Sequence, residues 1–221
     1  VETGRRVADP EVVARLVRAL DVGPAEVERL LGLVREAYAE TSRRVDAGVS
    51  FRGGVGAELL AAARVVRAFE AVVVPQLLWT AEYAAAVGAA VDGASVLEDE
   101  GRRFVVVVAE AALRTWPGSG ECMAGQLARL VEVSGWANVR FGVVPGVALP
   151  RVPLHGFSVY DDAAVSVETF TRELTLTDAD EVRAYVEIFE GFERAAVFGD
   201  EARRLVERAG RDLQKVLHSI H

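Results

Sequence analysis

The sequence predicts an α+β fold: a small helical N-terminal piece, a linker, then a compact domain whose small sheet is flanked by helices. Three observations carry this prediction. Apolar residues recur at helical spacing through the first 40 residues. Short β-branched runs, "RFVVVVAE" above all, cluster between residues 103 and 170. Helical patterns resume on both sides of that cluster.

The elements follow in order. "PEVVARLVRAL", 10–20, reads as a helix with Asp9 as N-cap and Pro10 at the first helical position. Val13, Leu16, Val17 and Leu20 form its apolar face. Gly23 ends it, and Pro24 opens "PAEVERLLGLVREAY", with Val27, Leu30, Leu31 and Val34 on one side. Two helices joined by a tight glycine turn make an αα-hairpin. Residues 41–56 break the pattern, and the glycine-rich "DAGVSFRGGVG" predicts a linker. "AELLAAARVVRAFE", 57–70, reads as a helix. After Pro75, so does "QLLWTAEYAAAVGAAV", with Leu78, Trp79, Tyr83 and Val87 available for packing.

"RFVVVVAE", 103–110, is a buried strand by its β-branched content. "CMAGQLARLVEVS", 122–134, is helical, and "NVRFGVVP", 138–145, alternates as a strand ending at proline. "HGFSVYDD", 155–162, and "AVSVETF", 164–170, form a hairpin around an aspartate turn. "DADEVRAYVEIFEGFERAAV", capped by Asp178 or Asp180, and "GDEARRLVERAGRDLQKVL" close the chain as helices. The division is therefore 1–40 helical, 41–56 linker and 57–221 sheet domain.

Composition narrows the function classes. The chain is 51% hydrophobic and 26% charged, enough apolar content for a packed core. Its net charge of −8 and pI near 5.1 argue against general nucleic-acid binding, which leaves a local basic patch as the only electrostatic route. Lys215 is the single lysine among 25 basic residues, a bias that discounts arginine as a functional signal. The lone Cys122 excludes an internal disulfide and fits a reducing compartment. The apolar runs "AVVVP" and "FVVVVA" fall far short of the ~20 residues a membrane span needs. With no signal-peptide pattern, the expectation is a cytoplasmic protein without membrane contact.

An ordered set of motifs then resembles a known family. "VETGRRVADPEVVARLVRALDVGPAEVERLLGLVREA" looks like the end of an Xre-type helix-turn-helix domain. "FEAVVVPQLLWTAEYAAAV", "VVVAEAALR", "CMAGQLARLVEV", "NVRFGVVP", "HGFSVYDD" and "VSVETF" follow in the order seen in the C-terminal domain of WhiJ-type regulators. Gln76 and Trp79 stand where that family usually has Gly and Gln, and its arginine-rich helix is shortened here to "VLEDEGRR". The resemblance implies that residues 1–40 are the rear of a DNA-binding domain, starting within or just after the recognition helix. It implies that 57–221 form an effector or dimerisation domain of a homodimeric transcription regulator. Promoter DNA would be one partner, and a small-molecule effector or a small protein the other. Two alternatives stand beside it: a repurposed regulator fold acting as a small-molecule biosynthetic enzyme, and an antitoxin-like binder of a small protein.

Candidate site residues follow. By the resemblance, Thr3, Arg5 and Arg6 would contact DNA phosphate at the end of the recognition helix. "RGGVGAE", 52–58, lacks the preceding strand and lysine of a phosphate loop and reads as linker. Cys122 beside Met123 reads as core rather than as a nucleophile served by His155. His155, His218 and His221 show no ligand spacing, so neither metal nor cofactor is expected. No His-x-Lys phosphodiesterase signature occurs. Glu110 and Glu168 end strand-like runs, and Asp161 and Asp162 sit in the hairpin turn, so carboxylates would converge if these strands share a sheet. Trp79 and Tyr83, four apart, line either a pocket or the core. Gln126 is polar amid apolar neighbours and satisfies a backbone group or faces a ligand.

Overall fold

The computed structural model describes residues 10–19, 22–39, 55–88, 94–169 and 173–220. Most of the expected linker, together with Asp9, Leu20 and His221, lies outside them. The chain divides into two compact units, Val1–Asp46 and Ala47–His221. The first is the predicted helical hairpin: α1 (Pro10–Arg18) packs against α2 (Pro24–Ala39). Ala14 and Val17 carry the buried face of α1, while Leu16 is half exposed.

The second unit is built on a seven-stranded mixed sheet of order β6-β5-β4-β1-β2-β3-β7. Helix α3 (Val55–Ala62) leads into β1 (Val65–Glu70), which pairs in parallel with β2 (Arg103–Ala109). β2 pairs in parallel with β3 (Val139–Val144). On the other side β1 meets β4 (Phe157–Tyr160) antiparallel, followed by β5 (Ala164–Glu168) and β6 (Glu173–Leu176). β7 (Val197–Phe198) closes the β3 edge. Helices α4 (Ala81–Ala86), α5 (Gly120–Val133), α6 (Ala179–Ala195) and α7 (Gly199–Ile220) complete the unit. Among the described residues no helix is long and apolar enough to cross a membrane.

β2 sits at the centre with Phe104–Ala109 buried on both faces, which explains its unbroken apolar run. On one face Val66, Ala68, Phe104, Val106, Val108, Phe141 and Val143 join Leu127 and Leu130 of α5 and Val206 and Leu213 of α7. On the other, Phe69, Val105, Val107, Phe157, Val159 and Val165 pack on Val182, Phe189 and Phe192 of α6. The Phe69 and Phe192 rings stack with centroids 3.7 Å apart. Asp178 caps α6, its carboxylate accepting from the Asp180 and Glu181 amides at 3.0 and 3.2 Å.

Three expectations are corrected. Residues 57–70 are not one helix, because α3 stops at Ala62 and the chain becomes β1. The cause is a long-range contact: the Asp161 carboxylate accepts from the backbone amides of Arg64 and Val65 at 3.0 and 2.7 Å. Capturing those amides ends the helical ladder and starts the strand. Residues 76–91 are not one helix either. A 3-10 turn, Gln76–Leu78, gives way to extended backbone at Trp79, and Thr80 caps α4 by accepting from the Tyr83 amide at 3.2 Å. Finally, the strands are not confined to 103–170: β1, β6 and β7 lie outside that span.

Phe69 is fully buried at the junction of the parallel and antiparallel halves. Phe69→Ala is expected to cost about 3–5 kcal/mol in urea denaturation, the range for an emptied aromatic site.

Candidate functional site

Strand register brings together side chains that are scattered in sequence. Side chains directly across adjacent strands share a face. Ala68 opposes Ser158, Ser158 opposes Ser166, and Ser166 opposes Thr175. One step along, the same register aligns Glu70, Gly156, Glu168 and Glu173, with Glu168 and Glu173 directly paired. Three glutamates therefore lie in one row across the antiparallel half of the sheet.

Gly156 makes the row close-packed. The Glu70 carboxylate occupies the space that a Cβ at position 156 would take, so a larger residue there would displace it. Burial, reinforced by the Glu168 charge, pushes the Glu70 carboxyl up to about 8. Burial and the neighbouring Glu173 push Glu168 up to about 7. The Ser166 hydroxyl donates to Glu173 Oε1 at 3.2 Å. Tyr160, one step behind, interacts through its phenol with Ser158 and Ser166, and burial pushes it up to about 12. Burial and mutual repulsion favour the protonated form of Glu70 and Glu168, so the row can offer hydrogen-bond donors as well as acceptors. That chemistry suits a polar or cationic group. Among the described residues no group of three His, Cys, Asp or Glu side chains is arranged to hold a metal ion.

Of the residues singled out in the sequence, Glu168 belongs to this row. Glu110 does not: its carboxylate pairs with Arg114 at 3.4 Å and accepts from the Gly146 amide at 3.2 Å, tying down the loop after β3. Asp161 and Asp162 turn at φ 49° and 54° at the start of β1, where Asp162 pairs with Arg67. Trp79 and Tyr83 are core residues. The Trp79 indole donates to the Val74 carbonyl at 2.6 Å, and the Tyr83 hydroxyl accepts from the Val74 amide at 3.2 Å. Gln126 is fully buried and serves as a clamp: its Oε1 accepts from the Thr80 amide at 2.9 Å, and its Nε2 donates to the Leu78 carbonyl at 2.8 Å. Cys122 is half-buried with its thiol pushed up by burial, whereas His155 hydrogen-bonds the Tyr185 hydroxyl at 3.2 Å. Thr3, Arg5 and Arg6 lie outside the described residues. Sequence reading missed Glu70, Glu173, Tyr160 and the two serines. The "HG" pair at 155–156 was the one local signal, a glycine just before a strand marking close approach.

Two measurements check this geometry. The raised carboxyls bind protons in the folded state that the unfolded chain has released, so stability is full at low pH and falls as pH rises from about 4.5 to about 8. Glu70→Gln is expected to flatten that fall and to raise the melting temperature at pH 8 by about 2 °C or more. Gln126→Leu leaves the Thr80 amide and the Leu78 carbonyl unpaired in the core, and should cost about 2–4 kcal/mol in chemical denaturation.

Comparison with known proteins gives a family. No curated protein is a significant match. Two solved structures overlap at low scores. NucT from Helicobacter pylori is 11% identical, with a TM-score of 0.40 over 65% of this chain and 87% of that one. TrmBL2, an archaeal chromatin protein described as showing a novel mode of DNA binding, is 13% identical, with a TM-score of 0.41 over 85% of this chain and 66% of that one. Neither overlap is close enough to bear on function. Residues 56–208, more than half of the chain and all of the sheet, match the family described as "Domain of unknown function (DUF5753)", and the chain belongs to that family.

Proposed function

We propose that the chain is the signal-receiving part of a cytoplasmic transcription regulator of the Xre, WhiJ-like type. Promoter DNA is its partner through a helix-turn-helix whose rear half is residues 1–40. The sheet domain takes the signal and biases a homodimer. The observation that carries this reading is the glutamate row Glu70–Glu168–Glu173, a hydrogen-bonding surface beside hydroxyls with Glu70 at its buried end. A cationic or hydrogen-bonding effector relieves the stored desolvation, and relief of that kind couples two sites by about 1–3 kcal/mol. The division into a helical unit and a sheet unit fits a reader joined to a receiver. The enzyme alternative predicts a closed pocket lined by Trp79, Tyr83 and one of the carboxylates, whereas both aromatic side chains are packed into the core.

One observation favours a protein as the signal. The loop after β3 exposes Val147, Val152 and Leu154, at 100%, 80% and 88%, with Val72 nearby in sequence to the end of β1 also outside the core. A run of exposed apolar side chains marks an interaction surface.

The test is DNA binding by a form of the protein whose helix-turn-helix is completed upstream of Val1, on palindromic promoter fragments at low salt. Tight, sequence-dependent binding is expected. Arg5→Ala and Arg6→Ala should each weaken it and lower the slope of log K against log salt by about 1. Absence of binding at low salt overturns the regulator reading.

A further inference from the structure

The outward face of α7 was absorbed neither by the fold nor by the glutamate row. Ala202, Val206, Ala209 and Leu213 bury one side of this helix. Arg204, Arg208, Arg211 and Lys215 project from the other, at i, i+4, i+7 and i+11, and all four are exposed. That spacing keeps them on a single ridge about 16 Å long.

Nearby carboxylates pair with Lys215 but leave the three arginines of this ridge without an ion pair among the described residues. Glu207 is held by Arg203 at 3.2 Å. Asp212 is shared between Arg114 at 2.9 Å and Lys215 at 3.2 Å. Asp200 and Glu201 sit in the first turn, where the helix dipole favours them. Arg204, Arg208 and Arg211 form no ion pair among the described residues. Most arginines of the other helices pair with carboxylates: Arg18 with Glu11, Arg29 with Glu26, Arg35 with Glu28, Arg183 with Asp180 and Arg194 with Glu190. In a chain of net charge −8 this concentration of open guanidinium groups is local and directional.

We propose that the three arginines of the α7 ridge, Arg204, Arg208 and Arg211, are a second nucleic-acid contact that grips the phosphate backbone of duplex DNA. The choice of duplex as occupant rests on the regulator reading above. Chemistry favours a phosphate polymer over an acidic protein, since no exposed large apolar side chain lies on the ridge itself. A protein interface needs a desolvated apolar centre, whereas a phosphate contact needs only charge and donors. Guanidinium groups suit phosphate oxygens because they donate in a planar fork. The contact carries no base readout. It adds sequence-independent affinity and sets how the sheet domain lies on DNA.

The experiment is fluorescence anisotropy of the 221-residue chain with a labelled duplex of arbitrary sequence, from 20 to 200 mM salt. Three phosphate contacts predict that affinity falls by about 40-fold between 50 and 200 mM. The triple variant Arg204→Gln, Arg208→Gln, Arg211→Gln should bind at least about 10-fold more weakly at 50 mM and lose about 3 from the salt slope. Arg208→Lys with Arg211→Lys keeps the charge and should keep the slope. A charge-matched control, Arg151→Gln, Arg183→Gln, Arg194→Gln, should stay within about twofold of the parent. Lack of binding by the parent at 20 mM salt overturns the proposal. So does an equal loss in the control, which would mean that net charge alone governs binding. Failure here leaves promoter recognition by the upstream-completed form untouched, and failure there leaves this slope untouched, so the two readings are told apart.

Discussion

The sheet depends on where β1 begins, and one carboxylate decides it. Asp161, in the tight turn after β4, accepts from the amides of Arg64 and Val65 and so fixes both the end of α3 and the first residue of the strand. β1 joins the two halves of the sheet, with parallel β2 on one side and antiparallel β4 on the other. A slip of one residue would turn Phe69 away from Phe192 and carry Glu70 to the opposite face. The aromatic cluster under α6 and the glutamate row thus share one origin. The left-handed backbone at Asp161 and Asp162 is the local cost of that placement.

How far the sequence reveals this molecule follows from which interactions are local. β2 and β3 announce themselves through β-branched runs, and the β4–β5 hairpin through alternation and its aspartate turn. The hairpin of α1 and α2 is equally plain from its caps and spacing. β1 was hidden because alanines at 61–63 and valines at 65 and 66 continue a helical period. The signal that breaks the period lies almost a hundred residues away, at Asp161. β6 and β7 are too short to show any period of their own. The site follows the same rule. Glu168 stood out at the end of a strand, but Glu70 and Glu173 join it only through register. Gln126 was visible as an anomaly, and only the backbone of the Leu78–Thr80 turn explains what it does.

The glutamate row sits on a domain that is otherwise conventionally packed. The Glu70 carboxyl is held where water would be the better solvent, and Gly156 makes room for it by lacking a side chain. Groups kept in that state respond to whatever supplies a proton or a hydrogen-bond partner, and they respond together because they are adjacent. A receiver needs that property: a low-energy change at one place that alters the balance of the whole domain. The Gln126 clamp performs the opposite service. It satisfies both polar atoms of its amide on the turn before α4, and holds that part of the core in one arrangement.

β7 has only two residues, yet its position settles how the protein keeps its own sheet from growing. Without it the outer edge of β3 would present a row of free backbone groups to any neighbouring strand. Val197 and Phe198 pair with Gly142 and Val143 there, and the Phe198 ring lies over Gly142 where no side chain stands in its way. Arg140 covers the ring from outside, its guanidinium 3.9 Å from the centroid and paired with Glu193. The chain then turns at once into the long α7, so no further strand can add in line. The opposite edge, β6, is four residues long and carries Glu173, an inward-facing charge that disfavours a partner strand. Both margins are closed to templated assembly by different means, one by a plug and the other by charge. Glu173 thus serves two ends at once, a member of the row and a guard on the edge of the sheet.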